Sequence, residues 1–213
     1  MNPEYKYIKY KTKYSSFTNN TPIIIHICGA SGSGKTTLGN KLQDKFGNKI
    51  IVKDIDDLRN EFIEEYYGDR KWTIIDKEEY QKYIDKFISK QKHNKPIIFV
   101  GLNNMPWWHE DHYYNMHSNY NFYIEIDDVV VVEQKCLRFL KNIQNDKEAM
   151  NDLINHNERF IKMVHKVFES ECNKKKIIKM NKKWYRDYKK KGYVFMSREG
   201  IYREVLGVLG GNI

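Results

Sequence analysis

The chain has little cysteine and no long apolar run, and each shortage narrows what it can be. Its three cysteines, Cys28, Cys136 and Cys172, stand in three unrelated contexts. They fit neither a disulfide framework nor a zinc knuckle. The longest apolar stretch, residues 23–27, is interrupted by His26 and is far too short to span a bilayer. The opening residues Met1-Asn2-Pro3-Glu4-Tyr5 contain no apolar core or small-residue cleavage site, so no secretory signal is expected. There is no internal repeat. The expectation is a reduced cytoplasmic protein with no membrane partner. With 213 residues, 40% of them hydrophobic and 14% aromatic, the chain can bury one ordinary α/β core.

The formal charge of +9 is unevenly placed. Residues 1–22 carry +3 and residues 173–213 carry +9, which leaves −3 on the middle of the chain. Basic ends of this kind suit a polyanion such as RNA or DNA. A composition rich in Lys, Asn, Ile and Tyr accounts for them equally well.

The most informative stretch begins with the β-rich run 22–28 and continues as Gly29-Ala30-Ser31-Gly32-Ser33-Gly34-Lys35-Thr36-Thr37. Gly29, Gly34, Lys35 and Thr36 satisfy the phosphate-binding P-loop pattern. Its glycines let successive backbone N–H groups converge on one anion, and the helix that follows adds its positive end. Residues 29–37 are therefore the expected nucleotide cradle. Lys35 is expected on the β- and γ-phosphates of ATP, with the Thr36 hydroxyl on Mg²⁺.

Leu38, Leu42 and Phe46 then recur at helical spacing until Gly47. A second strand, 49–53, runs into Asp54-Ile55-Asp56-Asp57-Leu58-Arg59. Acids at the carboxyl end of a parallel strand belong on the ligand side of the sheet. Asp54 or Asp56 can orient or deprotonate an acceptor hydroxyl, and Asp54 can support Mg²⁺ through water. Asp57 and Arg59 complete the expected acceptor site, with Arg59 placed to grip a phosphate or sulfate. A plainer use is also open, in which Asp56 caps the next helix and Asp57 sits in its first turn.

Over residues 22–59 this order of strand, P-loop, helix, strand and acid cluster resembles the P-loop kinases of nucleotides and small molecules. Asp54-x-Asp56-x-x-Arg59 is similar to the motif of adenylylsulfate kinases, and its first half to that of shikimate kinases. Asp56-Asp57-Leu58-Arg59 equally resembles the motif of 5′-polynucleotide kinases. The resemblance implies a nucleotide kinase-like core with a mobile acceptor insert at about 60–75, where Arg70 and Trp72 fall. It also implies a lid at about 141–157, and it places a phosphate-contacting lid arginine near Arg138. Nucleoside monophosphate kinases usually carry several lid arginines, and residues 141–157 contain none.

A capped helix is expected after Asp76, carrying Tyr80, Tyr83, Ile84, Phe87 and Ile88. The third strand, 95–101, ends at Gly101-Leu102-Asn103-Asn104, where motor ATPases and GTPases carry an acid. Beyond it Trp107 and Trp108 suit an aromatic wall for the acceptor. His109, Asp111, His112 and His117 imitate a metal site but lack a tightly defined ligand set. A fourth strand is read at 121–127, a helix at 129–140 burying Val132, Cys136 and Leu137, and a fifth strand at 176–180. The basic and aromatic run 182–193 is the kind of surface that meets nucleic acid.

The expected architecture is thus a doubly wound α/β domain around a mainly parallel five-stranded sheet. Residues 1–21 form an arm or edge strand, 22–181 the core, and 182–213 a basic, aromatic extension. The expected activity is transfer of the γ-phosphoryl group of ATP, with Mg²⁺, to a nucleotide or small-molecule acceptor. A 5′-hydroxyl RNA or DNA end is the second acceptor class. A nucleotide-gated nucleic-acid-binding protein without transfer chemistry is the third reading.

Overall fold

The computed structural model of the chain describes residues 22–68, 75–91, 95–105 and 109–210. Among these residues are seven strands. They are β1 (Ile24–Gly29), β2 (Ile51–Asp54), β3 (Ile97–Val100), β4 (Asn104–Met105), β5 (His109–Tyr113), β6 (Tyr120–Ile124) and β7 (Val194–Met196). The α-helices are α1 (Lys35–Phe46), α2 (Ile55–Tyr67), α3 (Lys77–Ser89), α4 (Asp128–Asn145), α5 (Lys147–Asn155), α6 (Asn157–Glu171), α7 (Lys174–Lys190) and α8 (Arg198–Gly210). Five strands form one parallel sheet in the order β2-β3-β1-β6-β7, flanked by helices, which is the P-loop NTPase fold. None of the described helices is long and apolar enough to cross a membrane.

The chain divides into two compact units. The first takes in residues up to Ile27, Gly39–Asn121 and the segment from Leu209. In it β3 lies between β1 and β2, with Ile97 opposite both Ile24 and Ile51. All four β3 residues are buried, as a strand covered on both faces must be. Helix α2 turns Ile55, Leu58 and Phe62 inward at helical spacing, and they pack with Tyr80, Ile84, Phe99, Tyr114 and Met116. Asp76 caps α3 as expected, its carboxylate accepting from the N–H groups of Glu78 and Glu79. Gly39 on α1 lies so close to the sheet that a Cβ would stand 3.0 Å from Val52 and 3.2 Å from Val100. Strands β4 and β5 form a separate antiparallel pair.

The second unit comprises Cys28–Leu38 and Phe122–Val208. Here β6 and β7 run parallel, Phe122 opposite Val194. Tyr123 stacks on Phe195 with centroids 4.7 Å apart, and Tyr188 lies 5.4 Å from Tyr123. Ala30, Val131 of α4 and Ile177 of α7 form a second small core.

Two expectations about this half are corrected. Residues 176–180 are not a strand but the first turns of α7, which Asn173 caps by accepting from the Lys176 N–H at 3.0 Å. Ile177, Trp184 and Tyr188 are its buried residues, and their spacing of seven and four is helical. The fifth strand is instead the three-residue β7, so the sheet draws on residues that the sequence reading places in the C-terminal extension. Leu137, expected inside, is 58% exposed, and Val131 is the buried residue of α4. That helix also continues past residue 140 to Asn145. Residues 141–157, the expected lid, form the end of α4, all of α5 and the start of α6.

Candidate active site

The P-loop lies where its sequence requires. Backbone geometry at two glycines explains the pattern. Gly32 and Gly34 have φ of 85° and 84°, a region that L side chains rarely enter. Space forbids a side chain as well. A Cβ on Gly32 would lie 2.7 Å from Gln134, and one on Gly34 would lie 2.7 Å from Arg198 Nη1. Ser33 N–H donates to Ala30 O at 3.1 Å, and Leu38 N–H donates to Gly34 O at 2.9 Å, which starts α1. The amides at the front of this helix therefore open toward the loop.

Lys35 Nζ is folded back on its own loop, donating to Gly29 O at 3.0 Å and Ala30 O at 2.8 Å. Thr36 and Thr37 follow it as exposed residues in the first turn of α1. Arg138 Nη1 donates to Ser31 Oγ at 3.5 Å, which stands this arginine against the loop. A cavity of about 700 Å³ is lined by Gly32, Ser33, Gly34, Thr37, Arg138 and Arg198. Ser33 Oγ is buried with no hydrogen-bond partner among the described residues. Cys28, just before the loop, is fully buried, and burial pushes its thiol well above the usual range despite nearby Lys35. It stays protonated and is no nucleophile.

Arg198 is the site residue that the sequence reading missed. It is the first residue of α8, reached directly from β7 through Ser197. A signal was available. A cation in the first turn of a helix sits at the positive end of the macrodipole, which disfavours it unless an anion is near.

The acid cluster lies in the first unit. Asp54, not Asp56, caps α2, its Oδ1 accepting from the Asp56 N–H at 2.9 Å. Asp56 and Asp57 occupy the exposed first turn. Asp56 Oδ1 pairs with Arg59 Nη1 at 3.1 Å, while Arg59 Nη2 donates to Asn104 O at 3.4 Å. Arg59 Nε is buried with no hydrogen-bond partner among the described residues. The Tyr80 and Tyr114 hydroxyls share this environment. Burial raises both, Tyr114 to about 12, and Arg59 pulls each part of the way back. At neutral pH both hydroxyls stay protonated.

Gly101 explains the missing acid after β3. A Cβ there would meet Ile55 Cβ at 2.9 Å, with φ at 138°. The first turn of α2 fills the space that a carboxylate would need. Arg70, Trp72 and Trp107 lie outside the described residues, as does the arm 1–21. No group of three or more His, Cys, Asp or Glu gathers into a metal cage among the described residues.

Residues 7–96 match the family model described as Zeta toxin, a P-loop kinase-like family. The matched span holds the P-loop and the acid cluster, stops just before β3, and covers less than half of the chain. No curated protein matches the chain. Together with the parallel sheet, the match supports a nucleotide-handling core of phosphotransferase type and leaves the acceptor open.

Proposed function

We propose that the chain is an ATP- and magnesium-dependent phosphotransferase that moves the γ-phosphoryl group to a hydroxyl or phosphate of a nucleotide or small metabolite. The supporting observation is a P-loop whose glycines, together with Arg138 and Arg198, surround one cavity of about 700 Å³. On nucleotide binding Lys35 Nζ exchanges the Gly29 and Ala30 carbonyls for phosphate oxygens. Arg138 approaches the transferring group from α4. Transfer of this kind is mainly positioning and charge stabilisation, so a few fixed cations and amides suffice.

The Thr36 hydroxyl and the Asp54 carboxylate are hard oxygen donors of the kind Mg²⁺ accepts. The lack of a larger carboxylate cage among the described residues fits a cation held chiefly by phosphates and water. Thr36 and Asp54 would hold the ion, which when bound would offset negative charge on the nucleotide phosphates. Asp54 or Asp56 takes the proton of an acceptor hydroxyl, and Arg59 holds an anionic group on the same acceptor. Asp57 and the residues Arg70 and Trp107 belong to the acceptor side.

A 5′-hydroxyl polynucleotide end is the second acceptor reading, favoured by Asp56-Asp57-Leu58-Arg59 and by the basic helix α7. In that role the cytoplasmic enzyme would phosphorylate RNA or DNA ends. Substitutions in the acid cluster test the transfer chemistry. Asp56→Asn is expected to lower γ-phosphate turnover by at least a hundredfold, the usual scale for a lost general base, with ATP affinity unchanged. Full turnover in both Asp56→Asn and Asp54→Asn would remove the acid cluster from the transfer chemistry.

A further inference from the structure

Helix α7, together with its capping residue Lys191, carries the whole charge imbalance of the molecule. Residues 174–191 hold nine lysines and one arginine against the single Asp187, a net of +9. That equals the formal charge of the full chain, so the remaining residues balance. The helix also sorts its side chains strictly. Ile177, Trp184 and Tyr188 are buried on one side. Lys175, Lys179, Lys182, Arg186 and Lys189 follow one another at steps of four, three, four and three, and all are exposed. That spacing aligns them along the opposite face, with Lys190 beside them. From Lys175 to Lys190 the stripe is about 22 Å long at the α-helical rise per residue. Among the described residues none of these six makes an ion pair with a carboxylate. Six cations of one sign held in line repel each other, and only an external polyanion relieves all of them at once.

A second observation narrows the partner. A hollow of about 330 Å³ is lined by Lys179, Lys182, Tyr185 and Arg186. Its aromatic member is fixed from below, the Tyr185 ring lying 4.3 Å from Phe195, with Lys189 Nζ 5.8 Å from the ring centroid. A rigid aromatic ring beside a line of cations is the arrangement on which unpaired bases stack. Duplex bases cannot enter such a hollow without leaving their stack. A membrane surface is a poorer fit. An interfacial helix turns its apolar face to lipid, whereas here the apolar residues are the buried ones.

We propose that the exposed face of α7 is a binding track for single-stranded nucleic acid. Lys175, Lys179, Lys182, Arg186 and Lys189 take the phosphates, and Tyr185 stacks a base. The track does not depend on the transfer reaction, so each can fail without the other.

The test is fluorescence anisotropy of a labelled single-stranded RNA or DNA about 20 nucleotides long, over a range of salt. With five phosphates neutralised, log K is expected to fall with log[salt] at a slope of about −3.5. The variant Lys175→Glu/Lys179→Glu/Arg186→Glu is expected to flatten the slope to about −1.4 or nearer zero. Tyr185→Ala is expected to weaken binding roughly tenfold, and Tyr185→Trp to retain it, since stacking needs only a ring. Melting temperature and ATP affinity of the triple variant, whose three residues are exposed, should stay at wild-type values. Unchanged oligonucleotide binding in the triple variant would overturn the proposal. So would equal affinity for duplex, stronger binding to phosphatidylserine vesicles, or equally effective displacement by polyglutamate. Loss of ATP turnover in Lys35→Ala with oligonucleotide binding intact would leave the track standing and separate it from the chemistry.

Discussion

His26 offers the sharpest quantitative prediction. It lies fully buried in β1, three residues before the P-loop, with Nε2 3.0 Å from the carbonyl of Gly101. Burial lowers its pKa from 6.5 to about 4, and the hydrogen bond to Gly101 offsets only part of that. The imidazole is therefore neutral in the folded chain, with Nε2–H donating to the carbonyl. Above the unfolded value neither state binds a proton, and stability is at its full level. As the pH falls through that value the unfolded chain takes up a proton that the folded chain refuses. Stability drops until the folded ring also protonates near pH 4. Integrating this difference gives a loss of about 2 kcal/mol at roughly pH 5 and about 3 kcal/mol below the folded value. Urea unfolding of the wild type and of His26→Gln, compared from mildly alkaline to mildly acidic pH, isolates the contribution. Glutamine can donate to the same carbonyl without titrating. The wild type should lose about 2 kcal/mol more than the variant, a midpoint shift of about 1 M urea. Parallel stability curves for the two proteins would refute the reasoning.

Two further predictions concern other parts of the molecule. Arg198→Ala should weaken ATP binding by at least tenfold, the scale of one charge-assisted hydrogen bond, and Arg198→Lys should recover part of the loss. Isothermal titration with ATP reads both, and an unchanged affinity would remove Arg198 from the site. Phe62→Ala should destabilise the first unit by about 3–5 kcal/mol, because Phe62 is fully buried and packs on Tyr80 at 5.1 Å. Chemical denaturation measures it, and a loss below about 1 kcal/mol would show that the site collapses without it.

The parts of this molecule that were legible in the sequence are those where local signals agree. The P-loop pattern sits between a β-rich run and a helical repeat of Leu38, Leu42 and Phe46, and each element predicts the next. Asp76 caps α3 because a carboxylate before a helical repeat has little else to do locally. Failures came where short-range pattern and tertiary demand diverge. Residues 176–180 pair lysines with isoleucines much as a short strand does, and only the longer Ile177, Trp184, Tyr188 spacing reveals the helix. The true fifth strand is three residues long and gives almost no periodic signal. Asp54 rather than Asp56 caps α2 because the helix begins two residues earlier than the acid pattern suggests. Arg198 could not be read from spacing at all, since about 160 residues separate it in sequence from the loop it touches.

The central claim is phosphoryl transfer, and one measurement addresses it directly. ATP labelled at the γ-phosphate is offered with Mg²⁺ and two acceptor pools. One pool holds nucleosides, nucleoside monophosphates and small metabolites, and the other holds 5′-hydroxyl RNA and DNA oligomers. Lys35→Ala serves as the blank. Label is expected in one of the two pools for the wild type and in neither for Lys35→Ala. Recovery on a small acceptor would make this a nucleotide or metabolite kinase, and recovery on oligomer ends an end-processing kinase. ATP bound normally with label in neither pool would contradict the account.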